Sequence, residues 1–306
     1  MSFVKEIVKR YLISGGTGLI GQALKSHLES SGHEVRVLSR RKTDASNGVF
    51  HWNVDSGELD LKAFESIDYL INLAGAGVID KAWTVAYKTE ILESRLKSSR
   101  LLQKVISENK ISLKSVACAS AIGFYGDRDS EEILTEESAT GTGYLAAVCS
   151  NWEEVNKGFE QLGIPTQVLR IGIVLSNKGG ALKPLIPLTK AFLSAPLGNG
   201  KQVVSWVHIL DLVRMIEFVL EKGESATYNA VGPSPVTNKV YTKAIGKALK
   251  RPILFPFVPV FAIKLIFGER SEAILMSSNV QAKKALSAGF EFRFKKIDEA
   301  LSDLLS

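Results

Sequence analysis

A chain of 306 residues, 45% hydrophobic and 23% charged, can bury one large α/β domain with a smaller one beside it, which excludes a disordered or fibrous protein. Its net charge of +6 is dispersed rather than gathered on a basic face with interleaved aromatics, so no nucleic-acid partner is expected. Two cysteines, Cys118 and Cys149, make neither a disulfide framework nor a metal-ligand spacing, so no metal site is expected and a reducing cytoplasm is the expected compartment.

The N-terminal stretch "MSFVKEIVKRYLIS" lacks the long apolar core and small-residue cleavage site of a secretory signal. "RYLISGGTGLIGQALKSHLESSGHEVRVLSRRK" follows the pattern of a strand, a glycine-rich turn, a helix and a second strand. Tyr11–Ser14 is the first strand, Leu19, Ile20, Ala23, Leu24 and Leu28 are the apolar stripe of the helix, and Val35–Ser39 is the second strand. Glycines at the turn let the backbone reverse tightly, approach a pyrophosphate and pack helix against strand. The phosphates then sit on the free N–H groups at the positive end of the helix. An NAD-preferring site would carry Asp or Glu at the end of the second strand. Here stand Ser39, Arg40, Arg41 and Lys42, with no acid before Asp44. Guanidinium donors suit a 2′-phosphate, so NADP(H) is the expected cofactor.

Further along, "YLINLAG" (residues 69–75), "SVACASAIGFYG" (115–126) and "PTQVLRIGIVL" (165–175) read as buried strands. The segment 88–108 between two of them carries apolar residues at helical spacing. Alternating strands and helices imply a Rossmann-type, doubly wound parallel sheet, with ligands beyond the carboxyl ends of the strands. "ILFPFVPVFAIKLIF" (253–267), the richest apolar run, is broken by two prolines and Lys264, and no stretch is long enough to span a membrane. It is expected to pack as a loop and a buried helix, with surface membrane contact the lesser alternative; no membrane partner is expected.

Taken together, "GGTGLIG", "NLAG", "SAIGFYG", "WVHILDLV" and "YNAVGPSPVTNKVYTKAIGKALKRP" resemble the extended short-chain dehydrogenase/reductase superfamily. "SAIGFYGDR", "LTEES", "GYLAAVCSNWE" and "RIGIVLSNKGGAL" are similar to its epimerase-family subgroup sometimes labelled cell-division-inhibitor-like, whose human member binds NADPH. The resemblance implies that Gly15, Gly16, Gly18, Leu19, Ile20 and Gly21 hold the pyrophosphate, and Ser39 and Arg40 the 2′-phosphate. It implies that Leu73 and Ala74 face adenine and ribose, that Glu90 and Arg95 contact the cofactor, and that Gly172 and Ile173 approach the nicotinamide end. From the residues alone, Glu90 and Arg95 read as surface helix charges.

The superfamily also implies a Ser/Thr, a Tyr, and a Lys four places after the Tyr, the lysine lowering the phenol's pKa for proton exchange. None of the seven tyrosines is followed by lysine at that spacing; Tyr144 is followed by Val148. Matching the helix by its "WE" sets Leu145 at the tyrosine place and Cys149 at the lysine place, and Ala121 falls at the serine place with Ser120 beside it. Leu145, Val148, Trp152, Val155, Phe159 and Leu162 form a stripe at 3-4 spacing, so Leu145 is expected to pack inward. Tyr125, Tyr144 and His208 remain as candidate proton-transfer groups, with Cys149 read as a buried small residue rather than a thiol nucleophile. Asp127 and Arg128 read equally well as a solvated loop.

The expected organisation is an NADP-binding domain over residues 1–175, to which 203–220 return, and a smaller C-terminal substrate-binding part formed by 176–202 and 221–306. The expected function is an NADP(H)-dependent oxidoreductase or epimerase of atypical mechanism on a small molecule. The alternative is a non-catalytic NADPH-binding regulatory protein.

Overall fold

In a computed structural model, which describes residues 8–306, the chain opens with β1 (Arg10–Ser14), α1 (Leu19–Ser30) and β2 (Glu34–Ser39), close to the bounds read from sequence. Residues 1–7, part of the stretch read as lacking a secretory signal, lie outside the described residues. Alternate residues of β1 enter different cores. Tyr11 and Ile13 pack with Leu24 and Leu28 of α1, while Leu12 packs with Leu101 and Leu102 on the other face. A parallel strand covered on both sides requires this period of two.

The chain continues through β3 (Val49–Asn53), β4 (Glu58–Leu59), β5 (Tyr69–Asn72), α2 (Val85–Glu108), β6 (Ser115–Ala121), β7 (Ile133–Leu134), α3 (Tyr144–Gln161), β8 (Thr166–Ile171) and β9 (Ile173–Leu175). Then come α4 (Leu185–Lys190), β10 (Val203–Val204), β11 (Trp206–His208), α5 (Ile209–Lys222), β12 (Ala226–Ala230), β13 (Val236–Thr237) and α6 (Asn238–Ala248). The last elements are α7 (Val260–Phe267), α8 (Ser271–Leu275), β14 (Asn279–Val280), α9 (Lys283–Ser287) and α10 (Ile297–Leu305).

Eight strands form the central sheet in the order β12-β8-β6-β5-β1-β2-β3-β4, parallel throughout except for the β3–β4 pair. Helices α1 and α5 contribute to the core on one face, α2 and α3 to the core on the other. This is the doubly wound Rossmann-type architecture expected. A separate apolar cluster, including Trp206, Tyr241, Ile245, Phe294 and Leu301, joins β11, α6 and α10.

Three local expectations change. The run 165–175 is two strands: β8 stays in the sheet, whereas β9 departs at Gly172 to pair with β11. A side chain at Gly172 would meet the Ser205 carbonyl oxygen at 2.5 Å, so the crossing needs glycine there. Ala226–Ala230, expected on the substrate side, is the edge strand of the central sheet, paired in register with β8. Finally, α7 is not buried. Phe261, Leu265 and Ile266 are 74%, 84% and 68% exposed, and only Ile263 of this helix is buried. Prolines at 256 and 259 and a single inward side chain leave the helix attached along one narrow line.

Candidate cofactor and substrate site

The turn between β1 and α1 is shaped by what its glycines touch. Gly15 has φ +70°, and a Cβ there would lie 2.8 Å from the carbonyl carbon and oxygen of Leu73. A Cβ on Gly21 would lie 2.4 Å from the Gly15 oxygen. Side chains are therefore excluded where the turn folds back on itself and on the end of β5. Leu73 N–H donates to the Ser14 carbonyl at 3.2 Å, which ties β5 to β1 directly beneath the turn. Gly18 ends the turn as the N-cap of α1 with no side chain bonded to the helix's first N–H groups and no acid in the first turn. Such an end offers donors and positive potential to an anion.

Ser14, Leu73 and Ala74, and Ser39 at the end of β2, therefore lie at neighbouring strand ends along the carboxyl edge of the sheet. Ser39 is buried and its Oγ accepts from the Arg41 N–H at 3.2 Å; Arg40 next to it is exposed. The segment after β9 passes over α1, since a Cβ on Gly179 would touch Leu19 Cδ1 at 3.2 Å. The N–H groups of Gly172 and Ile173 are committed to the carbonyls of Ala230 and Ser205. Their backbone donors face the protein, leaving only the Ile173 side chain and the carbonyls for any ligand nearby.

Glu90 and Arg95, five places apart on α2, point in different directions, as about 100° per residue demands. Glu90 is exposed and pairs with Lys81 at 3.3 Å. Arg95 is 8% exposed, its Nη1 donating to the carbonyls of Ile91 (2.7 Å) and Ala76 (3.0 Å), its plane 4.8 Å over the Trp152 ring. A Cβ on Gly75 would touch its Cζ at 3.0 Å. No carboxylate pairs with it among the described residues, and burial lowers its pKa, with Cys149, Tyr144 and Tyr87 acting against that. A buried guanidinium without a counter-charge is costly and suits a bound anion or polarised oxygen.

The structure brings Ala121, Leu145 and Cys149 to one place. A Cβ on Gly123 would stand 3.4 Å from Leu145 Cβ and 3.5 Å from Cys149 Sγ, and the thiol adjoins Ser120 and Ala121. Leu145 packs with Trp83, Tyr87, Ile91 and Val148, so the tyrosine place is filled by core. Burial pushes the Cys149 thiol up to about 11 despite Arg95, which removes it as a thiolate nucleophile at neutral pH. Arg95, reaching in from α2, stands beside the lysine place.

The tyrosine and histidine candidates are otherwise engaged. Tyr125 is fully buried; its hydroxyl bonds Asn229 Oδ1 (2.6 Å) and the Thr135 carbonyl (2.9 Å) and accepts from Arg170 Nη1 (2.9 Å). Burial raises its pKa further. His208 is 3% exposed, stacks on Phe294 and caps α5 by accepting the Leu210 N–H at its Nδ1. Burial lowers its pKa, so it serves as a neutral structural cap. Both side chains are therefore engaged within the fold rather than free for proton exchange. Tyr144, half-buried, donates to the Lys88 carbonyl at 2.8 Å and meets Trp83 edge-on. Asp127 and Arg128 are not free loop charges; Asp127 accepts from the Ser277 N–H and Arg128 binds the carbonyls of Tyr125 and Ala139.

One group escaped the sequence reading. Arg170 of β8 forms a two-point pair with Glu153 of α3 (both 2.9 Å), lies 3.5 Å over the Phe124 ring, and Ser120 donates to the same carboxylate. Its signal was present: an arginine inside an otherwise apolar parallel strand must find a partner.

Residues 11–232 match the NAD dependent epimerase/dehydratase family, and residues 258–304 match a domain of unknown function, DUF1731. An epimerase family protein of Mycobacterium bovis is 35% identical over 291 residues, covering 94% of this chain and 95% of its own. The epimerase family protein YfhF of Bacillus subtilis is 35% identical over 299 residues, covering 96% and 97%. The crystal structure of human epimerase family protein SDR39U1 with NADPH superposes with a TM-score of 0.87 at 27% identity, covering 97% of this chain and 99% of that one. With the glycine turn, the parallel sheet and these relatives in agreement, the chain belongs to the NAD-dependent epimerase/dehydratase family, with its NAD(P)-binding Rossmann fold.

Proposed function

We propose that this protein is an NADP(H)-dependent oxidoreductase or epimerase of atypical mechanism acting on a small molecule, located in the cytoplasm, where its two buried free cysteines stay reduced. The observation that carries the cofactor assignment is the uncapped N-terminus of α1 facing a β2 end that holds Ser39, Arg40, Arg41 and Lys42 and no acid. The fit extends to Arg95, whose buried charge meets no carboxylate among the described residues. The human relative that holds NADPH supports the same choice of nucleotide.

When bound, a nicotinamide supplies hydride exchange. The chain's own parts bind, orient and exclude water. The glycine turn and first-turn N–H groups hold the pyrophosphate, and Arg40 pairs with the 2′-phosphate. Leu145 and its neighbours close the place of the absent phenol. Arg95 holds a substrate oxygen or anionic group beside Cys149, and the proton comes from water or from Tyr144 once its bond to Lys88 opens.

Arg40→Ala tests the cofactor: NADPH affinity should fall about tenfold or more while NADH affinity is unchanged, because one charge-assisted pair is removed. Equal losses for both nucleotides would refute the 2′-phosphate role. Oxidation of NADPH against a panel of carbonyl compounds and nucleotide sugars tests catalysis. The absence of a hydroxyl, a phenol and an ammonium at Ala121, Leu145 and Cys149 respectively favours a second reading, a non-catalytic NADPH-binding regulator. Tight NADPH binding without turnover on any compound, together with a captured protein partner, would favour it.

A further inference from the structure

The stretch from 225 to 268 contains no Asp or Glu, yet carries Lys239, Lys243, Lys247, Lys250, Arg251 and Lys264. Within it lies a run of exposed apolar side chains. Leu254, Phe255 and Phe257 are 63%, 50% and 53% exposed, and α7 follows with Phe261 and Leu265. At about 100° per residue, Phe261 and Leu265 fall directly opposite Ile263, the one inward side chain, with Lys264 and Ile266 on the flanks. The helix is apolar on nearly every side and still faces outward, an arrangement that calls for a cover.

Basic groups border this surface. Lys243, Gly246, Lys247, Lys250 and Arg251 line a hollow of about 360 Å³ immediately before Leu254. Of these cations only Lys247 meets a carboxylate, the exposed Asp298 at 3.1 Å, among the described residues. Arg251 lies 5.4 Å from the ring of Phe192, which with Leu193 adds further exposed apolar area. Hydrogen bonds of Val258 with Pro196 and Gly198 join that segment to the run before α7.

We propose that this face seats on an anionic lipid bilayer, with Phe261, Leu265 and the phenylalanines before them entering the interface and the Lys/Arg hollow receiving lipid phosphates. Apolar side chains flanked by cations bind such a surface through burial and charge together. A second copy is the weaker occupant: a symmetric contact would set Lys250, Arg251 and Lys264 against their own duplicates with no acid in the segment to answer them. The proposal runs against the expectation of no membrane partner. The idea is independent of the cofactor and of turnover.

The test uses the full chain, sedimented with phosphatidylcholine vesicles with or without phosphatidylglycerol, and far-UV circular dichroism with a cooperative thermal unfolding transition as the check that each variant is folded. Wild type should partition to the anionic vesicles about tenfold better than to neutral ones, an advantage that rising salt removes. Phe261→Glu/Leu265→Glu should lose about tenfold or more on both, and Lys250→Glu/Arg251→Glu should lose the anionic preference alone. Failure of wild type to bind anionic vesicles overturns the proposal, as does binding that both variants retain. A wild-type dimer that Phe261→Glu/Leu265→Glu converts to monomer, without vesicle binding, assigns the face to a second copy instead.

Discussion

The β1–α1 turn and the inward face of α3 are specified in opposite ways. The turn is local: its residues lie within one βαβ unit, and its glycines answer to backbone a few residues away, to the Val37 side chain of β2 or to the adjoining strand end. The α3 face is assembled from afar. Leu145 packs on residues of α2, Cys149 adjoins Ser120 and Ala121 of β6, and Glu153 is bonded to Arg170 of β8. A cofactor cradle built on backbone geometry tolerates side-chain turnover around it. Proton-transfer chemistry depends on three separate side chains, and here their places have been filled by packing, with Arg95 supplying positive charge from another helix.

If that contrast is right, the largest stability loss should come from the α3 side. Glu153→Gln leaves Arg170 buried without its counter-charge and should cost about 3–5 kcal/mol in urea unfolding, since the pair is 13% and 7% exposed. A loss under about 1 kcal/mol would show that solvent or a neighbour satisfies Arg170 and that the pair does not anchor α3.

Next comes the turn. Gly15→Ala forces a Cβ onto the Leu73 carbonyl at positive φ and should cost roughly 2–3 kcal/mol, with NADPH binding falling out of proportion to stability. Stability lost with affinity retained in the folded fraction would mean that the cradle is not where the nucleotide sits.

The smallest effect separates a structural His208 from a catalytic one. Its folded pKa lies below 6.5 because of burial, so the unfolded chain binds the proton more readily. The stability it contributes is fully present above pH 6.5 and is lost as pH falls through the folded value. His208→Asn keeps an acceptor for the Leu210 N–H while removing that titration. The variant should match wild type at pH 8, show a shallower loss of unfolding midpoint below pH 6.5, and leave any turnover unchanged.

The parts legible beforehand share a short range. The βαβ unit, the buried strands at 69–72 and 115–121 and the long helix α2 follow from apolar period and glycine placement. The coincidence of Ala121, Leu145 and Cys149 could be foreseen because a resemblance supplied the register. Tyr125 misled, since a tyrosine at a strand end looks available until Arg170, Asn229 and Thr135 converge on its hydroxyl. Nothing near Tyr125 in the chain announces those partners, which lie 10 to 104 residues away.

Alone, the sequence determined the Rossmann-type half of the protein, its glycine cradle, its basic β2 end and the missing tyrosine–lysine pair. These depend on neighbours in the chain, on backbone sterics and on residue identity at a known spacing. Only the tertiary structure decided that Arg95 turns inward while Glu90 turns out, that β12 joins the sheet, that Tyr125 and His208 are sealed inside, and that α7 stands outward. Each of those depends on which distant surface arrives to cover a side chain, and for α7 none within the described chain does.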